Sequence, residues 1–260
     1  MTSDSIAAVR VSPRAQFVLA DNPTMMTLDG TNTWILREPT GSRSVVVDPG
    51  PNFAAHLDAV EEAAGEVALV LYTHHHADHT EAIDEFARRT GAPARAIGPY
   101  WCRNAEPLRH REVITVDGLE LQILATPGHT MDSMSIVLAQ DNALLTGDTI
   151  LGRGTTVVAH PDGALAEYLH SLEVIRELVV SGIDRLFPAH GPVVDDALAV
   201  VDFYREHRQQ RLEQVRQSVA DGRTTAREVV EHVYADVGQH LWPAAELSVE
   251  AQLLYLCKHG

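Results

Sequence analysis

The chain has 260 residues, of which 45% are hydrophobic and 22% are charged. This composition is typical of a globular protein and excludes a disordered or fibrous chain. The length allows one large domain with a small appendage. The formal net charge of the chain is −16. Residues 205–260 carry seven basic and eight acidic side chains, a net charge of −1, so residues 1–204 carry a net charge of −15. A body this acidic repels polyanions such as nucleic acids unless local cations reverse the field.

The sequence also disfavours a membrane protein and a secreted protein stabilised by disulfides. No apolar run approaches the roughly 18 residues that a membrane-spanning helix needs, so no membrane partner is expected. The two cysteines, Cys102 and Cys257, stand in no Cys-x-x-Cys motif, which favours a reducing compartment. The first twenty residues hold three charged side chains and no apolar segment, unlike a secretory signal peptide. We therefore expect a cytoplasmic protein.

Short apolar runs bounded by Gly, Pro and Asp predict strands. In chain order these are Thr33–Leu36, Ser44–Val47, Val67–Thr73, Ala94–Ile97, Val113–Val116, Leu119–Ala125, Ser133–Ala139, Ala143–Thr146 and Ile183–Phe187. Helical periodicity predicts helices at Ala54–Ala64, Glu81–Arg89 and Ala164–Val180. Strands interleaved with helices, without enough long crossovers for a doubly wound sheet, indicate an α/β (α+β) chain with mixed sheets and helices outside.

The C-terminal part of the sequence predicts helices only. A long helix over Asp195–Ala220 is interrupted at Asp221-Gly222-Arg223, and two short helices follow at Thr225–Tyr234 and Ser248–His259. We therefore predict a catalytic domain over residues 1–204 and a small helical module over residues 205–260.

A cluster of metal-ligand residues follows the predicted strand Val67–Thr73. The hexapeptide His74-His75-His76-Ala77-Asp78-His79 starts where this buried strand ends. Buried without partners, such side chains would each cost several kcal/mol, so a cation is expected among them. Imidazole and carboxylate together suit zinc, iron or manganese better than calcium or magnesium.

Three further candidate ligands follow later predicted strands, each beside a glycine that lets the backbone turn tightly. They are His129 in Pro127-Gly128-His129, Asp148 in Gly147-Asp148 and His190 in His190-Gly191. With His74, His76, Asp78 and His79 they make five histidines and two aspartates. That set is too large for one tetrahedral ion and suits two ions that share a carboxylate.

This order of ligands resembles the metallo-β-lactamase superfamily of dinuclear hydrolases. The resemblance implies a four-layer αββα sandwich in which His74, His76 and His129 hold one metal and Asp78, His79 and His190 hold a second. Asp148 would bridge the two ions, taken to be zinc with manganese or iron as alternatives. It also implies a metal-bridging hydroxide as nucleophile, with Asp78 and Asp148 as catalytic residues. His75 takes the variable position and is expected to face away.

Further motifs resemble the beta-lactamase-like protein 2 branch of that superfamily. They are Leu28-Asp29-Gly30-Thr31-Asn32-Thr33-Trp34, Asp48-Pro49-Gly50, Gly147-Asp148-Thr149-Ile150-Leu151-Gly152, His190-Gly191-Pro192 and His207-Arg208. The branch includes a single-strand endoribonuclease and polyketide thioesterases, and its C-terminal module is winged-helix-like. Here the chain stops at Gly260 directly after a predicted helix, where wing strands are expected, which argues against nucleic-acid reading by that module.

Several residues have two interpretations each. Asp48 orients a ligand histidine or only begins a turn before Pro-Gly. Arg153 binds an anionic substrate group or is a solvated loop charge, and His160 donates a proton to a leaving group or has no role. A basic patch from Arg103 to Arg111 contacts substrate phosphate or is a solvated face. Met25 and Met26, and separately Trp34, line a pocket or pack in the core.

Three functions remain open at this point. The first, which the acidic body favours, is a hydrolase of a small ester, thioester or lactone-like substrate, because a thiolate leaves without a general acid. The second is a metal-dependent endoribonuclease that acts on single-stranded RNA. The third is a non-catalytic binding protein, which a complete ligand set disfavours. The oligomeric state stays open.

Overall fold

The computed structural model describes residues 7–259, which contain two β-sheets. The strands of the first sheet are β1 (Val9–Arg10), β2 (Ala15–Leu19), β3 (Asn32–Leu36), β4 (Arg43–Val47), β5 (Glu66–Leu71) and β6 (Ala94–Arg95). They lie in the order β1-β2-β3-β4-β5-β6, antiparallel up to β4 and parallel from β4 to β6. The sheet is therefore mixed, as predicted.

The second sheet is formed by the later strands. These are β7 (Val113–Val116), β8 (Leu119–Ala125), β9 (Met134–Leu138), β10 (Ala143–Gly147) and β11 (Arg185–Pro188). They lie in the order β11-β10-β9-β8-β7, with β10 and β11 parallel and the other pairs antiparallel.

Seven α-helices lie outside the two sheets within residues 7–259. They are α1 (Ala54–Ala64), α2 (Ala77–Thr80), α3 (Ile83–Thr90), α4 (Leu165–Val180), α5 (Ala197–Ala220), α6 (Ala226–Val233) and α7 (Trp242–His259). Between the sheets lies a core that includes Trp34 stacked on Phe187, with ring centroids 4.8 Å apart. One outer core packs the first sheet on α1 and α3, and another packs the second sheet on α4 and α5. The predicted αββα sandwich is confirmed.

The C-terminal region is a small helical cluster with its own core. Val215 of α5 packs there with Val229 and Val230 of α6 and with Val249 of α7. Thr225 and Glu228 form a capping box at the start of α6, and the described residues beyond 220 contain no strand. The predicted division at 204/205 falls inside α5, so this boundary stays a prediction.

Some predicted elements differ from the observed ones. Strands β1 and β2 were missed, and the helix predicted at Glu81–Arg89 is instead the short α2 followed by α3. The last helix begins at Trp242 rather than Ser248, because Pro243 lies in its first turn, where a missing backbone N–H costs nothing. Within residues 7–259, no helix is long and apolar enough to cross a membrane.

Candidate metal centre and active site

The predicted ligands meet at one edge of the two sheets. His74 and His76 follow β5, Asp78 and His79 lie on α2, His129 lies between β8 and β9, and Asp148 and His190 follow β10 and β11. Two close approaches need glycine. A Cβ at Gly50 would lie 2.3 Å from the Asp78 carbonyl oxygen, and one at Gly128, where φ is +137°, would lie 2.3 Å from the Cα of Tyr168.

Three histidines form the first donor group. His76 Nδ1 lies 2.9 Å from His74 Nε2 and 3.1 Å from His129 Nε2. The oxygen Asp148 Oδ2 lies 3.6 Å from His129 Nε2 and 4.0 Å from His74 Nε2. These four side chains therefore present one donor atom each to a common point, which makes them a candidate metal site.

Each of the three histidines has one ring nitrogen that faces away from this common point. The hydrogen bonds of these outer nitrogens determine where each ring carries its proton, and so which nitrogens have lone pairs directed toward the point. His129 Nδ1 donates to the Val157 carbonyl at 2.8 Å, and His76 Nε2 donates to Asp162 Oδ2 at 3.0 Å. His74 Nδ1 donates to the Thr73 hydroxyl at 3.1 Å, because that hydroxyl already donates to Asp48. Each neutral imidazole then has a lone pair on its inner nitrogen. Three converging lone pairs repel one another unless a cation lies among them, so this group fits a metal ion.

Asp78, His79 and His190 form the second donor group. Asp78 Oδ2 lies 3.3 Å from His79 Nε2 and 3.2 Å from His190 Nε2. His190 Nδ1 donates to the Gly30 carbonyl at 3.1 Å, which leaves its Nε2 free to act as a ligand.

The carboxylate of Asp148 faces both groups with different oxygens. Its Oδ1 lies 3.3 Å from His190 Nε2 and 3.7 Å from His79 Nε2, whereas Oδ2 faces the first group. Asp148 Oδ1 and His79 Nε2 are buried and have no hydrogen-bond partner in the described chain. Buried polar atoms without partners are costly, so these two atoms also fit a metal ion.

The electrostatics of the two groups differ. Burial lowers the pKa of His74 well below its usual value, and burial also lowers the pKa of His129. Burial opposes charging of His190 as well, but the carboxylates of Asp148 and Asp78 raise its pKa to about 10. The second group therefore has a field that attracts positive charge, from a proton or from a metal ion.

Asp48 lies beneath the second group and contacts it directly. This buried carboxylate accepts hydrogen bonds from the Thr73 amide at 2.8 Å, the Thr73 hydroxyl at 2.7 Å and His79 Nδ1 at 2.9 Å. Burial opposes charging of His79, but Asp78, Asp48 and Asp148 raise its pKa well above the usual value. Asp48 thus holds the His79 ring with Nε2 toward the donor group, and its role in orienting a ligand histidine stays a prediction.

A cavity of about 270 Å³ opens above the two groups. Apart from the donor residues, its lining includes the apolar side chains Met25, Met26, Leu28, Leu151 and Val157. Met25 and Met26 are about half exposed, whereas Trp34 is buried in the core between the sheets.

The other predicted contacts have mixed outcomes. Arg153 lines this cavity but pairs with Asp29 at 2.5 and 2.8 Å, so its charge is balanced. His160 lies outside the cavity lining, in a separate pocket beside α4 and α7. The basic patch also lies apart from it, and its Arg103 pairs with Asp84. The roles in substrate binding predicted for Arg153 and His160 stay predictions.

Three polar residues at the site were not predicted. Asp162 contacts both His76 Nε2 and His75 Nε2, the latter at 3.2 Å, and Asp132 contacts His75 Nδ1 at 2.7 Å. The Thr31 hydroxyl donates to Asp78 Oδ2 at 3.1 Å. Thr31 lies within the motif quoted for the branch. Asp162 is followed by Gly163 but does not follow a predicted strand, and a folded loop brings it to His76.

A four-layer sandwich with histidine and aspartate donors at one edge of its sheets defines a class, that of metallo-β-lactamase-type hydrolases. A family model described as the metallo-beta-lactamase superfamily matches residues 26–190. A second model, the beta-lactamase associated winged helix domain, matches residues 225–260. The chain therefore belongs to the metallo-beta-lactamase superfamily and is a hydrolase.

Its relatives include beta-lactamase-like protein 2 homologs and thioesterases. One such homolog from Drosophila melanogaster is 32% identical and aligns with 98% of this chain and 91% of its own length. An atrochrysone carboxyl ACP thioesterase from Aspergillus chevalieri is 31% identical over 88% of this chain and 75% of its own length. The predicted family resemblance is confirmed.

Solved structures show the same fold. A metallo-beta-lactamase family protein from Thermus thermophilus has a TM-score of 0.79 at 22% identity, covering 95% of this chain and 94% of that one. A beta-lactamase domain protein from Burkholderia ambifaria has a TM-score of 0.80 at 19% identity, covering 99% and 90%.

Proposed function

We propose that this hydrolase is dinuclear and binds two zinc ions, with manganese or iron as alternatives. The observation that carries the proposal is that the two oxygens of Asp148 face two separate donor groups. His74, His76 and His129 would hold one ion, and Asp78, His79 and His190 the other. Two divalent cations supply Lewis acidity toward a substrate oxygen and bring the pKa of water toward roughly 7.

The chain's own residues orient what binds there. Asp48, Asp162, the Gly30 carbonyl and the Val157 carbonyl each hold one ligand histidine by its outer nitrogen. Asp78 is partly exposed to the cavity, so its carboxylate can accept a hydrogen bond from the attacking water and align it with the substrate carbonyl.

We propose a small ester, thioester or lactone-like compound as the substrate. The cavity has methionine, leucine and valine side chains beside the donor groups, and its one arginine is paired with Asp29. No second basic side chain other than histidine lines it among residues 7–259, whereas a polyanion needs several such contacts. The thioesterase relative supports a carbonyl substrate. A thiolate leaves without protonation, which agrees with the position of His160 in a separate pocket.

We also propose a reducing, cytoplasmic compartment. Cys102 and Cys257 are both free thiols in the structure. Free thiols are typical of reducing compartments, where disulfides do not persist.

Metal content tests the first part of this proposal. Protein purified without chelator should hold about two equivalents of transition metal by elemental analysis, released when the ligands are protonated. The Asp148→Ala variant should lose metal, whereas Asp195→Ala, which removes an exposed partner of Arg185, should not. One equivalent or none after zinc titration of the wild type would contradict the dinuclear site.

A substrate screen tests the second part. Metal-loaded protein is assayed against thioesters, lactones, cyclic phosphodiesters and single-stranded RNA, each with the Asp148→Ala and Asp195→Ala variants. We expect hydrolysis of a thioester or lactone, lost in Asp148→Ala and only weakly dependent on salt. Specific cleavage of RNA that falls steeply with salt, as multiple phosphate contacts require, would favour the endoribonuclease instead.

A further inference from the structure

A second cavity, of about 290 Å³, adjoins the one above the donor groups. It lies between the catalytic domain and the C-terminal helices α5, α6 and α7. Met25, Met26, Thr155, Thr156 and Val157 line both cavities, so these five residues form a shared wall. A ligand that extends past this wall would reach both cavities at once.

The second cavity is basic in an otherwise acidic protein. Its lining includes His207, Arg208 and Arg211 from α5 and no aspartate or glutamate among residues 7–259. The whole chain has 36 acidic and 20 basic residues, so a lining without carboxylates departs sharply from the rest of the molecule. Positive charge concentrated in a cleft raises the local concentration of anions.

The charges of these two arginines are not balanced by carboxylates. Most arginines of the chain are in ion pairs, but within the described residues no carboxylate oxygen lies within 4.0 Å of the guanidinium of Arg208 or Arg211. Arg211 donates to the Val233 carbonyl at 3.0 Å and lies over the Tyr234 ring at 4.5 Å. These neighbours fix the side chain without neutralising it.

Two buried polar atoms on the same helix also lack hydrogen-bond partners within residues 7–259. Arg208 is only 8% exposed and lies over the Tyr168 ring, and one of its amino groups donates to the Thr156 carbonyl. Its Nε and the Nδ1 of His207 have no hydrogen-bond partner among these described residues. Burial, and then the charges of Arg208 and Arg211, lower the pKa of His207 to about 4. A buried donor without a partner is costly, and an anion in the cavity would supply one.

We propose that this second cavity binds an anionic group, a phosphate or a carboxylate, at the far end of the substrate's leaving arm. The inference rests on the proposed hydrolysis of a small thioester or ester at the first cavity. Arg208 and Arg211 contact the anion, and arginine suits either group because its planar donors pair with two oxygens. Met25 and Met26 cover the uncharged part of the arm between the cavities. The enzyme therefore selects acyl compounds whose thiol or alcohol arm ends in an anion.

A series of thioesters that share one acyl group tests this selection. The arms are N-acetylcysteamine, which is neutral, glutathione, which has carboxylates, and 4′-phosphopantetheine, which has a phosphate. Hydrogen bonds to a charged group contribute about 1.5–3 kcal/mol, so kcat/KM should be roughly 10- to 100-fold higher for one of the anionic arms. Which one is preferred distinguishes phosphate from carboxylate.

Variants of Arg211 locate the effect. Arg211→Met keeps the length of the side chain and should abolish the preference mainly through KM, whereas Arg211→Lys, which keeps the charge, should retain part of it. Arg216→Met is the matched control, since Arg216 lies on the same helix, is exposed and pairs with Glu213. Arg216→Met should turn over the neutral and the anionic thioesters like the wild type. An anionic preference that persists in Arg211→Met, or no preference in the wild type, would overturn the inference.

A binding measurement separates this inference from the proposed reaction. Calorimetric titration uses the S-methyl derivatives of glutathione and 4′-phosphopantetheine, which cannot react and have no free thiol to bind a metal. Binding that Arg211→Met weakens at least tenfold, as loss of an arginine–anion contact predicts, supports the cavity assignment even if no thioester is hydrolysed. Hydrolysis without any such binding would leave the proposed function intact and refute the cavity. Tighter Arg211-dependent binding of single-stranded RNA than of either compound would also refute it.

Discussion

Replacing Asp48 with asparagine tests how the second donor group is held. Asparagine accommodates the positive φ of 52° at this position, so the backbone should not change. The carboxylate accepts three hydrogen bonds, from the Thr73 amide, the Thr73 hydroxyl and His79 Nδ1. An amide has one oxygen and one NH₂ group, so the NH₂ group must face a donor.

The least costly rearrangement moves a proton on His79. If the new NH₂ group faces Nδ1, the imidazole must accept there and carry its proton on Nε2 instead. That N–H then points at Asp78 and Asp148 and occupies the nitrogen whose lone pair is needed for His79 to act as a ligand. Loss of such a supporting partner weakens metal affinity by about 10- to 100-fold, which equals about 1.4–2.8 kcal/mol. Asp48 reaches the first group only through the Thr73 hydroxyl, which can still accept from His74 Nδ1 in the variant, so the larger effect should fall on the second site.

Metal titration and imidazole NMR measure this together. Metal-free Asp48→Asn protein, titrated with zinc, should show one site of wild-type affinity and one weakened site. Because the pKa of His79 is raised, the ¹⁵N spectrum is recorded at a pH high enough for the ring to be neutral, and it should show the His79 proton on Nε2. The matched control is Asp132→Asn, which changes a carboxylate that contacts His75 rather than a proposed ligand. Two sites of wild-type affinity in Asp48→Asn, or a His79 proton that stays on Nδ1, would refute the reasoning.

Three further predictions concern catalysis and stability. Asp148→Ala should lower kcat/KM by several orders of magnitude while the chain stays folded, and His75→Ala should have a mild effect, both measured on the best substrate of the screen. Burial lowers the pKa of His56 to about 4, so the folded state binds fewer protons than the unfolded state, whose value is about 6.5. Stability should therefore fall by about 2 kcal/mol between pH 6.5 and 4.5 in the wild type relative to His56→Gln, measured by urea unfolding. Tyr204→Phe should lower the free energy of unfolding by about 1–3 kcal/mol, also measured in urea, because the buried Leu151 amide loses its acceptor at 2.9 Å.

For each of these three predictions, one experimental result would contradict the reasoning. Equal losses in Asp148→Ala and His75→Ala would mean that His75 faces the metals. Parallel pH profiles for the wild type and His56→Gln would show that His56 is protonated equally in the folded and unfolded states. Unchanged stability in Tyr204→Phe would show that the Leu151 amide finds another acceptor.

The convergence of the ligands could be predicted from the sequence because the signals are local. Each ligand follows an apolar run and stands beside a glycine or in the histidine hexapeptide, and the ends of neighbouring strands meet at one edge. The pairing of Asp162 with His76 could not be predicted in this way. It depends on a loop that packs against the site from 86 residues further along the chain.

The second cavity could not be predicted either, because no single segment forms it. His207, Arg208 and Arg211 look like the polar face of a solvated helix when α5 is considered alone. Packing of α6 and α7 against that helix turns the face into a cavity wall. The start of α7 differs from the predicted Ser248 for a local reason, since Pro243 disfavours a helix interior but is well tolerated in a first helical turn.

Helix α5 connects the donor groups to the C-terminal module. The Tyr204 hydroxyl accepts from the amide of Leu151, in the loop that follows Asp148. One helical turn later, Arg208 donates to the backbone carbonyl of Thr156. The side-chain hydroxyl of Thr156 lies 3.2 Å from His129 Nδ1. The next turn carries Arg211, which donates to the end of α6. Because one rigid helix contacts the ligand loops, lines the second cavity and anchors the module, an anion bound at Arg211 would be positioned relative to the donor groups by the helix itself.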